Sequence, residues 1–357
     1  MAKRRIKLKN EKVAAVEEKS SADNRANSYF VSEKTNLQFV SSGCTVLDCS
    51  IGGGYVLGRM VNLVGDKSTA KTGLSTEALI NFKMAYPQGY AAYRETEGAY
   101  DVDYAAAMGL PVDEVDFGNQ EEPIDTVEKF EKDFRAFIDK CMSDNVPGIY
   151  VLDSFDSLSD EAEMKADISD GSYNMVKQKK IGIMFRKLNK RIEKSKVLLI
   201  IVSQVRENIN AMFGEKYRRS GGKALDFYAS QIIWLAPTGT LKKTVKKVER
   251  PYGISIKSKC KKNKVSVPFR EAEFDFLFGY GVDDIGASIN WLYNVGRLKD
   301  ADIGSANSKG DCKKLAESIR NMDGKERRRL VKRLNATVKQ VWREIETGFL
   351  PPRGKYS

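Results

Sequence analysis

Residues 65–72 read Gly-Asp-Lys-Ser-Thr-Ala-Lys-Thr. They follow an apolar stretch, Met60, Val61, Leu63 and Val64, and precede a helix-like run. The spacing is that of a phosphate-binding loop, G-x-x-x-x-G-K-[ST], with Ala70 in place of the second glycine. In such a loop the backbone N–H groups of residues 66–72 wrap an anion at a helix N-terminus. The segment Gly65, Asp66, Lys67, Ser68, Thr69, Ala70, Lys71, Thr72 and Gly73 is therefore the expected nucleotide-contacting stretch. Lys71 is expected to reach the β- and γ-phosphates, and the Thr72 hydroxyl to take one place on Mg²⁺. If position 70 requires a positive φ, alanine costs about 1 kcal/mol relative to glycine there. The competing reading is a Gly/Ser/Thr-rich turn before a helix, with Lys71 in solvent.

Three further polar residues end apolar strands. Gly148–Asp153 is an apolar run ending in a carboxylate, so Asp153 is the second candidate for Mg²⁺. Tyr90–Glu95 runs into Glu97, a carboxylate able to orient an attacking water. The alternative is a solvated acidic loop shared with Glu95 and Asp101. The run 197–202 ends in Ser203-Gln204, where a neutral amide can sense a γ-phosphate or simply cap the strand.

These residues need a scaffold of alternating strands and helices. Apolar strand patterns occur at 60–64, 90–94, 148–152, 197–202 and 231–235. Helical patterns occupy 71–85, 124–142, 175–194 and 222–229. The alternation predicts an α/β fold with a mainly parallel twisted sheet over 41–285. Residues 1–40 are polar and charged and read as a basic arm, with a short helix near Val13–Glu18. Residues 241–264 are lysine-dense and read as a hairpin. A small basic helical domain is expected over 286–357, its last helix aligning Leu330, Leu334, Val338, Val341, Trp342 and Ile345 on one face.

Composition narrows the partners. The chain has 357 residues, 60 Lys+Arg against 48 Asp+Glu, and a net charge of +12. That balance favours an anionic partner, nucleic acid before membrane. No run is long enough to span a bilayer, and the basic N-terminus lacks the apolar stretch of a signal peptide. Five cysteines without CxxC pairing predict a reduced, cytoplasmic setting. The absence of histidine removes imidazole metal sites and imidazole bases together.

The order and wording of these segments resemble the RecA family of DNA recombinases. The resemblance rests on Ser42-Gly43, Leu47-Asp48 and Gly58-Arg59, then on 95–110 (ETEGAYDVDYAAAMGL) and 151–158 (VLDSFDSL). It continues in 204–230 (QVRENINAMFGEKYRRSGGKALDFYAS) and 259–281 (KCKKNKVSVPFREAEFDFLFGYG). It implies a RecA-like P-loop ATPase core using ATP and Mg²⁺. It places Glu97 on the catalytic glutamate and Gln204 on the glutamine coupling ATP to DNA. Asp101, Tyr104 and Phe278 fall near the adenine. Lys262 and Lys264 fall on the pair that reaches the neighbouring protomer's ATP; read alone, they are two lysines in a lysine-rich hairpin.

Two stretches resemble DNA-binding loops. One lies near 164–180 and ends in Lys177, Lys179 and Lys180. The other spans 205–222. There Arg206, Lys216, Arg218 and Arg219 suit phosphates, and Asn208 and Asn210 offer hydrogen bonds. Met212 and Phe213 can wedge between bases, or Phe213 can anchor a surface loop. Gly221 and Gly222 let the chain change course.

The implied function is an ATP-dependent recombinase that forms filaments on single-stranded DNA and pairs it with homologous duplex. The implied partners are both forms of DNA, further copies of the chain, and single-strand-binding and loader proteins. The rivals are a ring-forming, helicase-like motor with the same core and a non-catalytic DNA-binding filament protein. Ala70 and the basic Arg353 and Lys355 near the end suggest a phage-type member, working in a bacterial cell or a phage-infected host.

Overall fold

The computed structural model describes residues 37–165, 174–207, 217–219 and 222–351. The expected helix near Val13–Glu18, most of the expected arm, and Arg353 and Lys355 lie outside these residues.

The described residues open with β1 (Phe39–Val40), α1 (Thr45–Ile51) and β2 (Tyr55–Val56). Then come β3 (Met60–Gly65), α2 (Lys71–Ala85), β4 (Tyr90–Glu95), α3 (Val102–Ala107) and β5 (Val115–Asp116). The middle holds α4 (Val127–Ser143), β6 (Gly148–Asp153), α5 (Glu161–Lys165), α6 (Asn174–Ser195), β7 (Val197–Glu207) and β8 (Tyr217–Arg219). After α7 (Gly222–Tyr228) run β9 (Gln231–Val245), β10 (Val248–Asn263), β11 (Glu271–Leu277) and β12 (Gly281–Val282). Helices α8 (Asp284–Asn294), α9 (Lys309–Arg320) and α10 (Gly324–Gly348) follow.

Among the described residues, the main sheet runs β12-β11-β10-β9-β3-β7-β6-β4-β5, with β8 pairing off β7. Strands β9, β3, β7, β6, β4 and β5 are mutually parallel, and β10 to β12 extend the sheet antiparallel. The parallel core is the predicted α/β architecture. Its strands are apolar on both faces, as a sheet covered by helices requires. Leu63, Val151 and Ile200 point to one hydrophobic cluster; Val64, Leu152 and Ile201 point to the other. Helices α1, α2, α8 and α10 cover the first face, and α4, α6 and α7 the second.

Local signals fix the boundaries. Helix α4 starts later than its apolar periodicity suggests, because Thr126 caps it by accepting from Lys129 N at 3.3 Å. Strand β7 runs five residues beyond the expected end because Ser203 and Gln204 still pair with β3 and Val205–Glu207 pair with β8. The lysine-dense region is a hairpin, β9–β10, turning at Lys246 and Lys247 with φ of 50° and 65°. At the C-terminal end, Leu334, Val338 and Val341 of α10 join the first cluster, and Trp291 stacks on Trp342 at 5.4 Å. Arg270 and Glu346 add a two-pronged ion pair, both contacts at 2.7 Å.

Candidate active site

The parallel strands β3, β6 and β7 deliver their C-terminal ends to one edge of the sheet, where ligands bind in open α/β folds. From β3 the chain enters the loop 65–72 and then α2. Gly65 is required by close approach: a Cβ there would meet Thr69 Oγ1 at 2.4 Å and Leu235 O at 2.9 Å. Gly73 is equally constrained, since its Cβ would fall 2.2 Å from Phe276 Cζ. Ser68 and Ala70 both adopt left-handed backbone, with φ of 56° and 58°. Ala70 is the N-cap of α2 and offers no side-chain acceptor to the helix. The glycine-to-alanine departure thus sits where alanine is strained.

Lys71 is buried, and its Nζ donates to Asp66 O at 2.6 Å across the loop. Burial lowers its pKa, while Asp153, Asp66 and Glu97 act in the opposite direction. Thr72 Oγ1 donates to Asp153 Oδ2 at 2.6 Å, and the Tyr93 hydroxyl donates to the same oxygen at 2.7 Å. Burial raises the Asp153 pKa; the Thr72 and Tyr93 hydrogen bonds oppose that shift. A hydroxyl and a carboxylate in contact beside the Lys71 loop suit Mg²⁺. That ion takes one or two protein oxygens and fills its other places with phosphate and water.

Glu97 stands at the opening of the same edge and is exposed. Its Oε1 accepts from Ser154 Oγ at 2.6 Å and from Gln204 Nε2 at 3.1 Å. Gln204 is itself anchored through its backbone, N to Asp156 Oδ2 at 2.6 Å. Glu95 differs from Glu97 in its work. Its carboxylate accepts from the N–H groups of Glu97, Gly98 and Ala99, which builds the turn that presents Glu97.

The remaining expected residues fall in three places. Asp101 caps α3 by accepting from Tyr104 N at 2.9 Å, and the Tyr104 hydroxyl accepts from Gly279 N at 2.9 Å. This draws Asp101, Tyr104 and the exposed Phe278 together. Lys262 Nζ donates to Asp226 O and, at 2.9 Å, to Phe227 O; Lys264 Nζ donates to Phe227 O at 3.1 Å. Both lysines therefore rest on carbonyls at the end of α7, away from Lys71's loop within one protomer.

Lys177, Lys179 and Lys180 lie in the early turns of α6. Lys177 donates to Leu158 O, Lys180 pairs with Glu128 at 2.6 Å, and Lys179 is exposed. In the second loop, Val205, Arg206 and Glu207 pair antiparallel with Arg219, Arg218 and Tyr217. Gly222 opens α7. Asn208, Asn210, Met212, Phe213, Lys216 and Gly221 lie outside the described residues.

Sequence reasoning did not single out Tyr93, Ser154 or Asp156. No signal in the sequence marks Tyr93. It lies two residues before Glu95, and β4 pairs in register with β6, Glu95 opposite Asp153. Ser154 follows Asp153 directly in sequence, and Asp156 lies three residues after it.

The family model of the RecA N-terminal domain matches residues 14–283. Protein RecA of Arthrospira platensis is 32% identical over 268 residues, covering 75% of this chain and 69% of that protein. Protein RecA of Trichodesmium erythraeum is 32% identical over 257 residues, covering 72% and 67%. Protein RecA of Synechocystis is 32% identical over 254 residues, covering 71% and 68%. The matched span holds every strand of the parallel core and the loops between them, and the chain belongs to the RecA family.

Proposed function

We infer that this chain is an ATP-dependent homologous recombinase. It is a DNA-dependent ATPase that forms filaments on single-stranded DNA and catalyses homologous pairing and strand exchange. One observation carries the reading. Gln204, hydrogen-bonded to Glu97, lies on β7, and β7 continues without a break into the base of the 205–222 loop. A change in that loop is thus one strand away from the carboxylate expected to act on water.

The roles follow from position. Lys71 neutralises the phosphates from within the loop, and the N–H groups of 66–72 hold them. Thr72 and Asp153 would hold Mg²⁺, which supplies charge neutralisation at the β- and γ-phosphates. Glu97 orients water and accepts its proton. Gln204 exchanges its bond to Glu97 for one to the γ-phosphate, which couples nucleotide state to the loop. Asp101, Tyr104 and Phe278 flank the base. Lys262 and Lys264 complete a neighbour's site, so ATP joins protomers. Arg206, Lys216, Arg218, Arg219 and the α6 lysines contact backbone phosphates. Residues 1–40 serve as an oligomerisation arm, 41–285 as the ATPase core, and 286–357 as a basic helical domain. Single-strand-binding and loader proteins are further proposed partners.

The test is electron microscopy with single-stranded DNA and a non-hydrolysable ATP analogue, paired with a strand-exchange assay. Helical filaments and joint molecules are expected. Closed rings with unwinding activity would favour the motor reading instead. Among the described residues no helix is long and apolar enough to cross a membrane.

A further inference from the structure

The β9–β10 hairpin is longer than the sheet it belongs to. Strand β9 pairs with β3 only as far as Leu235, and β10 pairs with β11 only as far as Gly253. Beyond those points the two strands pair with each other alone, down to Val245 opposite Val248. Residues 242–251 are exposed throughout. They form a two-stranded ribbon that leaves the body of the sheet.

The two faces of the ribbon differ. On one face Lys242 pairs with Glu249 at 3.3 Å, so that face is balanced. On the other, Lys243 lies directly opposite Arg250, and Val245 directly opposite Val248. Lys246 and Lys247 close the turn in left-handed backbone. Lys243, Lys246, Lys247 and Arg250 have no hydrogen-bond or ion-pair partner among the described residues. Like charges directly opposite across two strands oppose folding, so the Lys243–Arg250 pair is not explained by stability. Val245 and Val248, 58% and 52% exposed, add an apolar spot between the cations. Lys243 also borders a groove of about 1100 Å³ of mixed charge, where Lys309 and Lys313 of α9 stand with Glu271, Glu273 and Asp275, so the cationic patch belongs to the ribbon itself.

We propose that this ribbon is a docking element for double-stranded DNA, its Lys243/Arg250 face set against the phosphates that border a groove. The major groove, roughly 12 Å wide, admits a two-stranded β-ribbon. Four unpaired cations at one end of a ribbon match a polyanion with closely spaced charges. Val245 and Val248 meet sugars and base edges. The contact carries no base code, in keeping with recognition left to strand pairing. The proposal rests on the recombinase reading and adds to it a duplex contact made by residues other than those of the loops at 164–180 and 205–222.

The experiment uses the full chain with four substitutions, Lys243→Ala, Lys246→Ala, Lys247→Ala and Arg250→Ala. A second variant, Lys242→Ala with Glu249→Ala, alters only the balanced face. Binding of a short labelled duplex is measured by anisotropy over a salt series without nucleotide, and hydrolysis stimulated by single-stranded DNA is measured alongside. The four-fold variant should bind duplex about tenfold or more weakly, and its log–log salt slope should flatten by about 2 to 4. Its stimulated hydrolysis should stay within about twofold of wild type, and the balanced-face variant should match wild type in both assays. Unchanged duplex affinity and slope overturn the proposal. So does an equal loss of single-stranded DNA binding in a variant that melts like wild type. Wild-type binding to poly-glutamate as tight as to duplex, lost in the four-fold variant, would assign the ribbon to an acidic protein instead. Failure of the recombinase reading looks different: wild type then shows no DNA-stimulated hydrolysis, whatever the ribbon variants do.

Discussion

Gln204 and Glu97 are bonded across β6, the strand that separates theirs, with Nε2 at 3.1 Å from Oε1 and 3.4 Å from Oε2. The Ser154 hydroxyl takes a second place on Oε1 at 2.6 Å. The carboxylate is thus held from the strand side and open toward solvent.

That geometry makes Glu97→Gln informative. The amide keeps the shape and can still accept from Ser154, but it cannot take a proton from water. Hydrolysis should fall by about 100-fold or more, while ATP binding and filaments on single-stranded DNA persist. Stimulated hydrolysis and filament formation are measured on the same preparation. A rate close to wild type would return Glu97 to the acidic turn that Glu95 organises.

Ala70 invites the opposite kind of change. Its φ of 58° is a glycine conformation, so Ala70→Gly relieves backbone strain of about 1 kcal/mol, less the entropy that glycine adds to the unfolded chain. Nucleotide binding should survive and the melting temperature should rise slightly or hold. Gly73→Ala is the matched control, since its Cβ would collide with Phe276 Cζ at 2.2 Å. That collision should destabilise the protein by about 1–3 kcal/mol. A nucleotide affinity lost on restoring glycine at 70 would mean that the loop binds phosphate in another shape.

These outcomes bear on how much of the site is legible in the sequence. The parallel core was legible because each strand is a short, nearly pure apolar run, and the loop because its spacing is fixed by phosphate geometry. The left-handed backbone at Ala70 was foreseeable only as a condition, since φ depends on how β3 and α2 meet. The extent of β7 was not legible: polar residues after Val202 carry no strand pattern, and pairing keeps them extended, Ser203 and Gln204 on β3 and Val205–Glu207 on Tyr217–Arg219. Tyr93 and Ser154 escaped for a related reason. Their hydrogen bonds to Asp153 and Glu97 depend on the register of β4 with β6, which composition does not encode.

A pH dependence follows from Glu77 on α2. Its Oε1 accepts from Val282 N at 2.9 Å, and no cation pairs with it among the described residues. Burial raises its pKa from 4.5 to about 7, against the Val282 hydrogen bond. The folded state therefore holds the proton more tightly than the unfolded chain. This carboxyl favours folding below about pH 4.5 and loses that contribution as pH rises to about 7. Glu77→Gln keeps the acceptor and removes the ionisation. It should be more stable than wild type at pH 8, by up to about 3 kcal/mol, with the difference vanishing near pH 4. Denaturant titrations at several pH values check this. A constant offset between the two proteins would show that Glu77 ionises without cost.

The last prediction concerns Lys262 and Lys264. Within one protomer their ammonium groups lie on Asp226 O and Phe227 O at the end of α7. If they serve a neighbour's nucleotide, they must leave those carbonyls when protomers stack. Lys262→Ala with Lys264→Ala should then preserve the fold and most single-subunit ATP affinity, and abolish DNA-stimulated hydrolysis. Lys71→Ala should abolish hydrolysis from the other side, by emptying the loop of its phosphate-neutralising charge. The two mutants lack different halves of one composite site. Mixed on single-stranded DNA, some interfaces pair an intact loop with intact lysines, so hydrolysis should rise above either mutant alone and peak at intermediate ratios. If both mutants fold and bind DNA yet no mixture exceeds its components, the shared site fails. The lysines would then act as plain phosphate contacts, and the salt dependence of DNA binding should flatten in the double mutant.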